Sequence, residues 1–230
     1  MATNKNQQTP TQESISKLEA GVLKYKKVIS ISVVAVIVVV AGLILLNTLY
    51  LKPRQAEAST ALAKGQELFA QQQYEAALNG DKTGYIGFLK VIDQYGCTDA
   101  ANLAKLYAGL CYANLGKWNG AAELIDDYSA GDDAMVSPAA EAALGNVYAH
   151  INKIDDAVSC LKKAAKMADK KVENGHSVSL APQFLLQAGI LLESQGKTSE
   201  ALEIYEKIKK DYVNSPVRRD IDKYIERVTK

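Results

Sequence analysis

The hydrophobic pattern of this chain changes character once. From Val28 to Leu51 the sequence "VISISVVAVIVVVAGLILLNTLYL" runs for 24 residues without a charge, and sixteen of them are Val, Ile or Leu. Past the hinge Lys52-Pro53-Arg54 the continuous run stops. Ala, Leu, Lys, Glu and Gln take over, a composition of helix formers. Alternating β-branched strands with Gly-rich turns are missing there, so the part after Pro53 is expected to be all helical.

A 24-residue helix is about 36 Å long at a rise of about 1.5 Å per residue, enough to cross a hydrocarbon core of about 30 Å with some tilt. The aliphatic side chains favour insertion by several kcal/mol at roughly −0.4 kcal/mol each. Tyr25 and Tyr50 stand where interfacial aromatics belong, and Lys24, Lys26 and Lys27 close one end while Lys52 and Arg54 close the other. A buried strand of this length is excluded by ordinary strand dimensions. A buried core helix is not normally apolar all round. A cleavable signal has an apolar region of only about 7–15 residues, although "AEA" at Ala56–Ala58 has the form of a cleavage site. The reading is a retained transmembrane helix over residues 28–51. The polar stretch "MATNKNQQTPTQES" predicts a disordered tail over residues 1–27. Lys17, Lys24, Lys26 and Lys27 precede the span, and Lys52, Arg54 and Lys64 follow it. This four-to-three bias places the tail in the cytoplasm and the head across the inner membrane, in the periplasm.

Residues 55–230 contain an internal repeat. "LYAGLCYANLGKWNGAAELIDDY", "AALGNVYAHINKIDDAVSCLKKA" and "LQAGILLESQGKTSEALEIYEKI" align in register. Each carries a Gly (Gly109, Gly145, Gly189) and, three residues on, Tyr112, Tyr148 or Leu192. Twelve residues after the Gly comes Ala121, Ala157 or Ala201, and four beyond that a bulky Ile125, Leu161 or Tyr205. A degenerate copy upstream has Gly65, Leu68 and Ala77, with its second helix disturbed by "NGDKTG" at Asn79–Gly84. Small residues belong where two helices approach most closely, and the bulky ones fill the adjacent gaps. Gly116-Lys117, Asn152-Lys153 and Gly196-Lys197 supply turns between the paired helices, and Pro138 and Pro182 open later ones.

This spacing resembles the tetratricopeptide repeat. It departs from the consensus in lacking the Trp near the start of the first helix, since Trp118 falls in the turn. The resemblance implies an all-α fold: one transmembrane helix followed by an α-solenoid of about four helix pairs, with "PVRRDIDKYIERVTK" as a terminal capping helix. Tail, span and degenerate repeat head together look like the YfgM-like ancillary subunit family of the bacterial Sec translocon. "IDQYGCTDAANLAKLYAGLCY" and "IKKDYVNSP" also look like repeats of cell-envelope assembly proteins. The family implies a periplasmic head that contacts the translocon and envelope chaperones and catalyses nothing. The alternative is a structural subunit locked into a single large envelope assembly or secretion complex.

In tetratricopeptide domains partner recognition falls on fixed positions of the first helix of each pair. Here those positions hold Leu106, Leu110 and Asn114, then Ala142, Asn146 and His150, then Leu186, Ile190 and Ser194. No Lys or Arg is among them, which argues against a clamp for a C-terminal carboxylate, a ligand that demands several charged donors. An apolar peptide or helix in a groove is expected instead; the competing reading has Leu106 and Leu186 packing the solenoid interior. Charge adds little, because the chain carries 27 Lys and Arg against 26 Asp and Glu, with no basic field for nucleic acid. His150 and His176 lack companions at metal-ligand spacing, and no phosphate loop, nucleophile elbow or zinc-protease motif occurs, so neither cofactor nor metal nor catalysis is expected. Cys97, Cys111 and Cys160 are odd in number and contain no Cys-x-x-Cys. Small buried thiols are the simplest reading for the latter two, with a structural disulfide left open.

Overall fold

The computed structural model describes residues 10–170, 172 and 175–230, with side chains from residue 25 onward except at 29. The chain divides into two compact units, the second running Arg54–Lys230. Among the described residues there is no strand.

The first unit is built on α1 (Pro10–Leu46) and one π-helical turn, Asn47–Leu51. The segment expected to be a disordered tail is therefore helical from Pro10 onward, while Met1–Thr9 lie outside the described residues. Pro10 is a favourable first helical residue, since its missing N–H has no partner to lose there. The sequence that follows, "ESISKLEA", is rich in helix formers, a local preference that outweighs its polarity. The apolar stretch is exposed, with Val28 at 62% and Leu49 at 73%, and is long and apolar enough to cross a membrane by length and composition. Its end is not a plain α-helix. The Lys52 N–H bonds to the Asn47 carbonyl five residues back, one residue before Pro53, which has no N–H to offer.

The second unit is a series of helix pairs: α2 (Lys52–Ala70), which belongs to it from Arg54 onward, with α3 (Tyr74–Asn79) and α4 (Phe88–Tyr95), then α5 (Asp99–Asn114) with α6 (Trp118–Asp126). Next come α7 (Val136–His150) with α8 (Ile154–Lys170) and α9 (Leu180–Ser194) with α10 (Thr198–Asp211), and a short 3-10 turn leads into α11 (Ile221–Thr229). Trp118, expected in a turn, is the first residue of α6.

One hydrogen-bonded frame joins the helices of every pair. The carbonyl of the residue three after the landmark Gly accepts the N–H that enters the second helix: Gln73 to Leu68 at 2.9 Å, Lys117 to Tyr112 at 2.8 Å, Lys153 to Tyr148 at 2.9 Å and Lys197 to Leu192 at 3.0 Å. The residue in between has positive φ in each case: Gln72, Gly116, Asn152 and Gly196. This is the left-handed turn that ends helices with a six-to-one bond. The landmark Ala then makes the first bond of the second helix, Ala77 to Gln73, Ala121 to Lys117, Ala157 to Lys153 and Ala201 to Lys197. All four alanines are fully buried.

The landmark glycines mark close approaches. A Cβ at Gly109 would collide with Ile125, one at Gly145 would lie 3.1 Å from Leu161 Cγ, and one at Gly189 would lie 2.9 Å from Tyr205 Cζ. The first pair solves the same problem differently. Its second helix breaks after Asn79 into a loop turned by Gly80, Gly84 and Gly87, all at positive φ. Asp81 holds that loop by accepting the N–H groups of Thr83 and Tyr85 at 2.9 and 3.0 Å. Tyr85 and Phe88, from beyond the loop, then fill the space beside Gly65. The series ends on α11, whose Ile221 is buried and whose Arg227 forks onto Glu193 of α9, while the Tyr205 hydroxyl donates to Glu193 at 3.1 Å.

Candidate partner-binding surfaces

The first helices of the pairs, α5, α7 and α9, carry the residues read as a groove, and the structure divides them. Leu106 is only 6% exposed and packs with Ile125, Ala140, Leu144 and Val147, so it is core and is not available to a partner. In-repeat spacing places it on the recognition face, but side chains of the next pair, on α7, pack in the same buried cluster and cover it. Leu110 is half-buried against the same cluster, and Leu186 is half-buried against the cluster that joins α8 to α11. Asn114, Asn146, His150 and Ile190 are exposed. The Asn114 amide donates to its own helix at the Leu110 carbonyl, 2.8 Å away. His150 lies flat on Trp118, with ring centroids 3.8 Å apart and planes within 5°, so one imidazole face is covered. Ile190, 40% exposed, is the apolar residue of the set that a partner can reach with least rearrangement.

The second helices form a different surface. Helix α6 stops after nine residues whereas α8 runs for 17. The chain then leaves α6 through "SAGDDAM", fixed by Asp133, which accepts N–H bonds from Met135, Val136 and Ser137 at 2.9, 2.5 and 3.2 Å. Burial alone would raise the Asp133 carboxyl, but these bonds and the Ser137 hydroxyl together hold it below its ordinary value. The short α6 leaves part of α7 uncovered, and a cleft of about 480 Å³ opens there. Its floor is apolar, with Ala140 and Leu144 of α7 beside Ile125; Asp126 lines it from α6, Glu141 from α7, and Asp156 and Lys163 from α8. Tyr148 reaches in from α7, its phenol pushed up first by burial and then by Asp126. Sequence reading missed this surface. The signal available was the pair of "IDD" runs at Ile125–Asp127 and Ile154–Asp156, which look like ordinary solvated helix ends.

His176 and Asp169 form a structural contact, with Nδ1 and Oδ2 3.0 Å apart, and Tyr212 donates to the same carboxylate at 2.6 Å. Together they tie the segment after α8 to the end of α10. All three cysteines are free thiols, Cys97 exposed, Cys111 buried and Cys160 half-buried. Burial pushes the Cys111 and Cys160 thiols up to about 12.

A helix-turn-helix frame that recurs in four pairs, closed by small residues at the crossing and a terminal helix, defines an α-solenoid with tetratricopeptide-like architecture, a class of fold used for protein–protein interaction. Residues 183–215, spanning α9 and α10, match the Tetratricopeptide repeat family model. No curated protein matches the chain at a significant level. Among solved structures it is similar to a Podosopora anserina kinesin-light-chain candidate with nearly identical TPR-like repeats, and to a single-substitution variant of that protein. In both cases the TM-score is 0.55 at 14% identity, over 74% of this chain and 83% of that one. At that identity the likeness speaks for the fold.

Proposed function

We propose that the chain is a single-pass membrane-anchored adaptor. Residues 28–51 hold it in the inner membrane, and the repeat head recruits protein partners on the periplasmic side, near the Sec translocon and its envelope chaperones. It works by binding and not by catalysis. The observation that carries this reading is the coupling, in one chain, of an exposed uncharged apolar stretch to a head built on tetratricopeptide geometry. An exposed surface of that size and apolarity needs lipid or protein to cover it.

The test has three arms. Alkaline carbonate washing should leave the full-length chain in the membrane pellet; its release, or a mature chain beginning near Ser59, refutes the anchor. Protease outside spheroplasts should degrade the head, and a protected head reverses the topology. Purification in detergent should recover a mixture of translocon and chaperone proteins, whereas stoichiometric recovery of one complex would favour a dedicated structural subunit. For the α9 face the informative change is Ile190→Glu, since this side chain is exposed and the substitution spares the core. Lost partners with an unchanged melt support that face.

A further inference from the structure

The cleft lined by α6, α7 and α8 carries, among the described residues, three carboxylates, Asp126, Glu141 and Asp156, against one lysine, Lys163. Lys163 of α8 lines the cleft; it pairs with Glu141 at 2.8 Å and also feels the charge of Asp126. Lys153 sits over the Tyr148 ring, 5.4 Å from its centroid. Among the described residues, Asp126 and Asp156 have neither a hydrogen bond nor an ion pair within contact distance, and they line the cleft from two different helices, α6 and α8. The same cleft is lined by Tyr148, whose phenol feels both aspartates, and by the apolar Ile125, Ala140 and Leu144.

Acid rim and apolar floor together select the occupant. A bare divalent ion has no use for aliphatic contacts, and among the described residues no three ligating side chains converge closely enough to hold one. A long basic side chain satisfies both features: its methylenes cover the floor while its head stays at the carboxylates. A guanidinium fits best, because its fork offers five donors to acceptors on two walls. We propose that this cleft docks an arginine-bearing segment of a protein partner, its side chain entering between Asp126 and Asp156 over Tyr148. The proposal rests on the adaptor reading and gives it a second recognition surface, on the side opposite to the one the repeat spacing points to.

The experiment uses the full chain in mild detergent and two fluorescein-labelled nonapeptides of alternating alanine and arginine, or alanine and citrulline. Citrulline keeps the shape of arginine and removes its charge. Fluorescence anisotropy should show the arginine peptide binding at least fivefold more tightly. The double variant Asp126→Asn/Asp156→Asn should weaken it about fivefold, as expected for two partly exposed charge pairs. The variant Asp127→Asn/Asp155→Asn has the same net charge, but its carboxylates are already engaged with Lys105 and Lys197, and it should bind within twofold of the parent. Equal losses in both double variants, no loss in the first, or citrulline binding as well as arginine would each overturn the proposal. So would displacement of the peptide by millimolar magnesium ion, which would mark a simple cation site. Detergent co-purification separates this proposal from the adaptor reading. If the parent chain recovers partners and Asp126→Asn/Asp156→Asn retains every one, the cleft proposal fails and the adaptor stands. If the parent recovers none, the adaptor reading fails and the peptide titration still decides the cleft.

Discussion

Replacing Gly189 by Ala sets two known effects against each other. In an ordinary helix interior the change stabilises by about 1 kcal/mol through backbone entropy. Here the new methyl would lie 2.9 Å from Tyr205 Cζ and 3.0 Å from Cδ1. Tyr205 is fully buried, so its ring has no solvent to move into. Its hydroxyl donates to Glu193, and turning the ring would also sacrifice that bond, worth about 1 kcal/mol. Overpacking of a tight core costs about 1–3 kcal/mol, and the trapped ring places this case in the upper half of that range. The net prediction is a loss of about 1–2 kcal/mol, or a fall in Tm of about 2–8 °C for a chain of this size. Gly120→Ala is the control, because its methyl would meet Tyr112 at an ordinary 3.4 Å and its backbone is not in the left-handed region. It should gain up to about 1 kcal/mol. Thermal denaturation followed by far-ultraviolet circular dichroism, on the full chain in mild detergent, reads both. Adding Tyr205→Leu to Gly189→Ala should cost less than the sum of the two single changes, since the leucine makes room for the methyl. The reasoning is refuted if Gly189→Ala melts at or above the parent, or if the double variant is strictly additive.

Three further outcomes follow from particular contacts. Gln72 has a φ of 60° at a turn where Gly serves two other pairs, so Gln72→Gly should stabilise by about 0.5–1 kcal/mol in the same melts. The Glu193 carboxyl is held below its ordinary value first by its bond from Arg227, against burial, which raises it. A depressed carboxylate contributes stability that is full above its unfolded pKa of about 4.3 and is lost as pH falls through the folded value, so Glu193→Gln should flatten the acid limb of the Tm–pH profile. Iodoacetamide at pH 8 should modify exposed Cys97 well before Cys111 and Cys160, whose thiols burial keeps protonated; mass spectrometry of peptides gives the order, and prior loss of Cys160 would contradict it.

The repeat frame could be read before any coordinates because it is written into single positions. The Gly at each crossing, the left-handed turn residue and the buried Ala each tolerate few side chains, and the order 65, 109, 145 and 189 fixed the pairs. The limits of that reading are equally specific. Leu106 stands at a recognition position by spacing, yet the packing of one pair on the next buries it, and that packing is a property of two pairs that neither carries alone. Phe88 was not recognisable as the partner of Gly65, because a three-glycine loop moves it out of register. The cleft depends on α6 ending early, a consequence of the Asp133-anchored segment after it and not of any repeat landmark.

The displaced packing of Phe88 has a bearing on the order in which the head assembles. Ile125, Leu161 and Tyr205 each follow their Gly by sixteen positions, whereas Phe88 follows Gly65 by twenty-three. The longer closure by itself costs only about 0.3 kcal/mol of chain entropy. The larger burden is freezing Gly80, Gly84 and Gly87, which lose more backbone freedom than other residues. The first pair should therefore close after its neighbours have formed and given it a surface to condense on. A ribosome delivers the chain in the opposite direction, so the repeat that emerges earliest is the one that must wait. Pulsed hydrogen exchange during refolding should find amides of α5–α10 protected ahead of those in α3 and α4. Until then Ala77 and Leu78, fully buried in the finished protein, stay open to the solvent or to a chaperone.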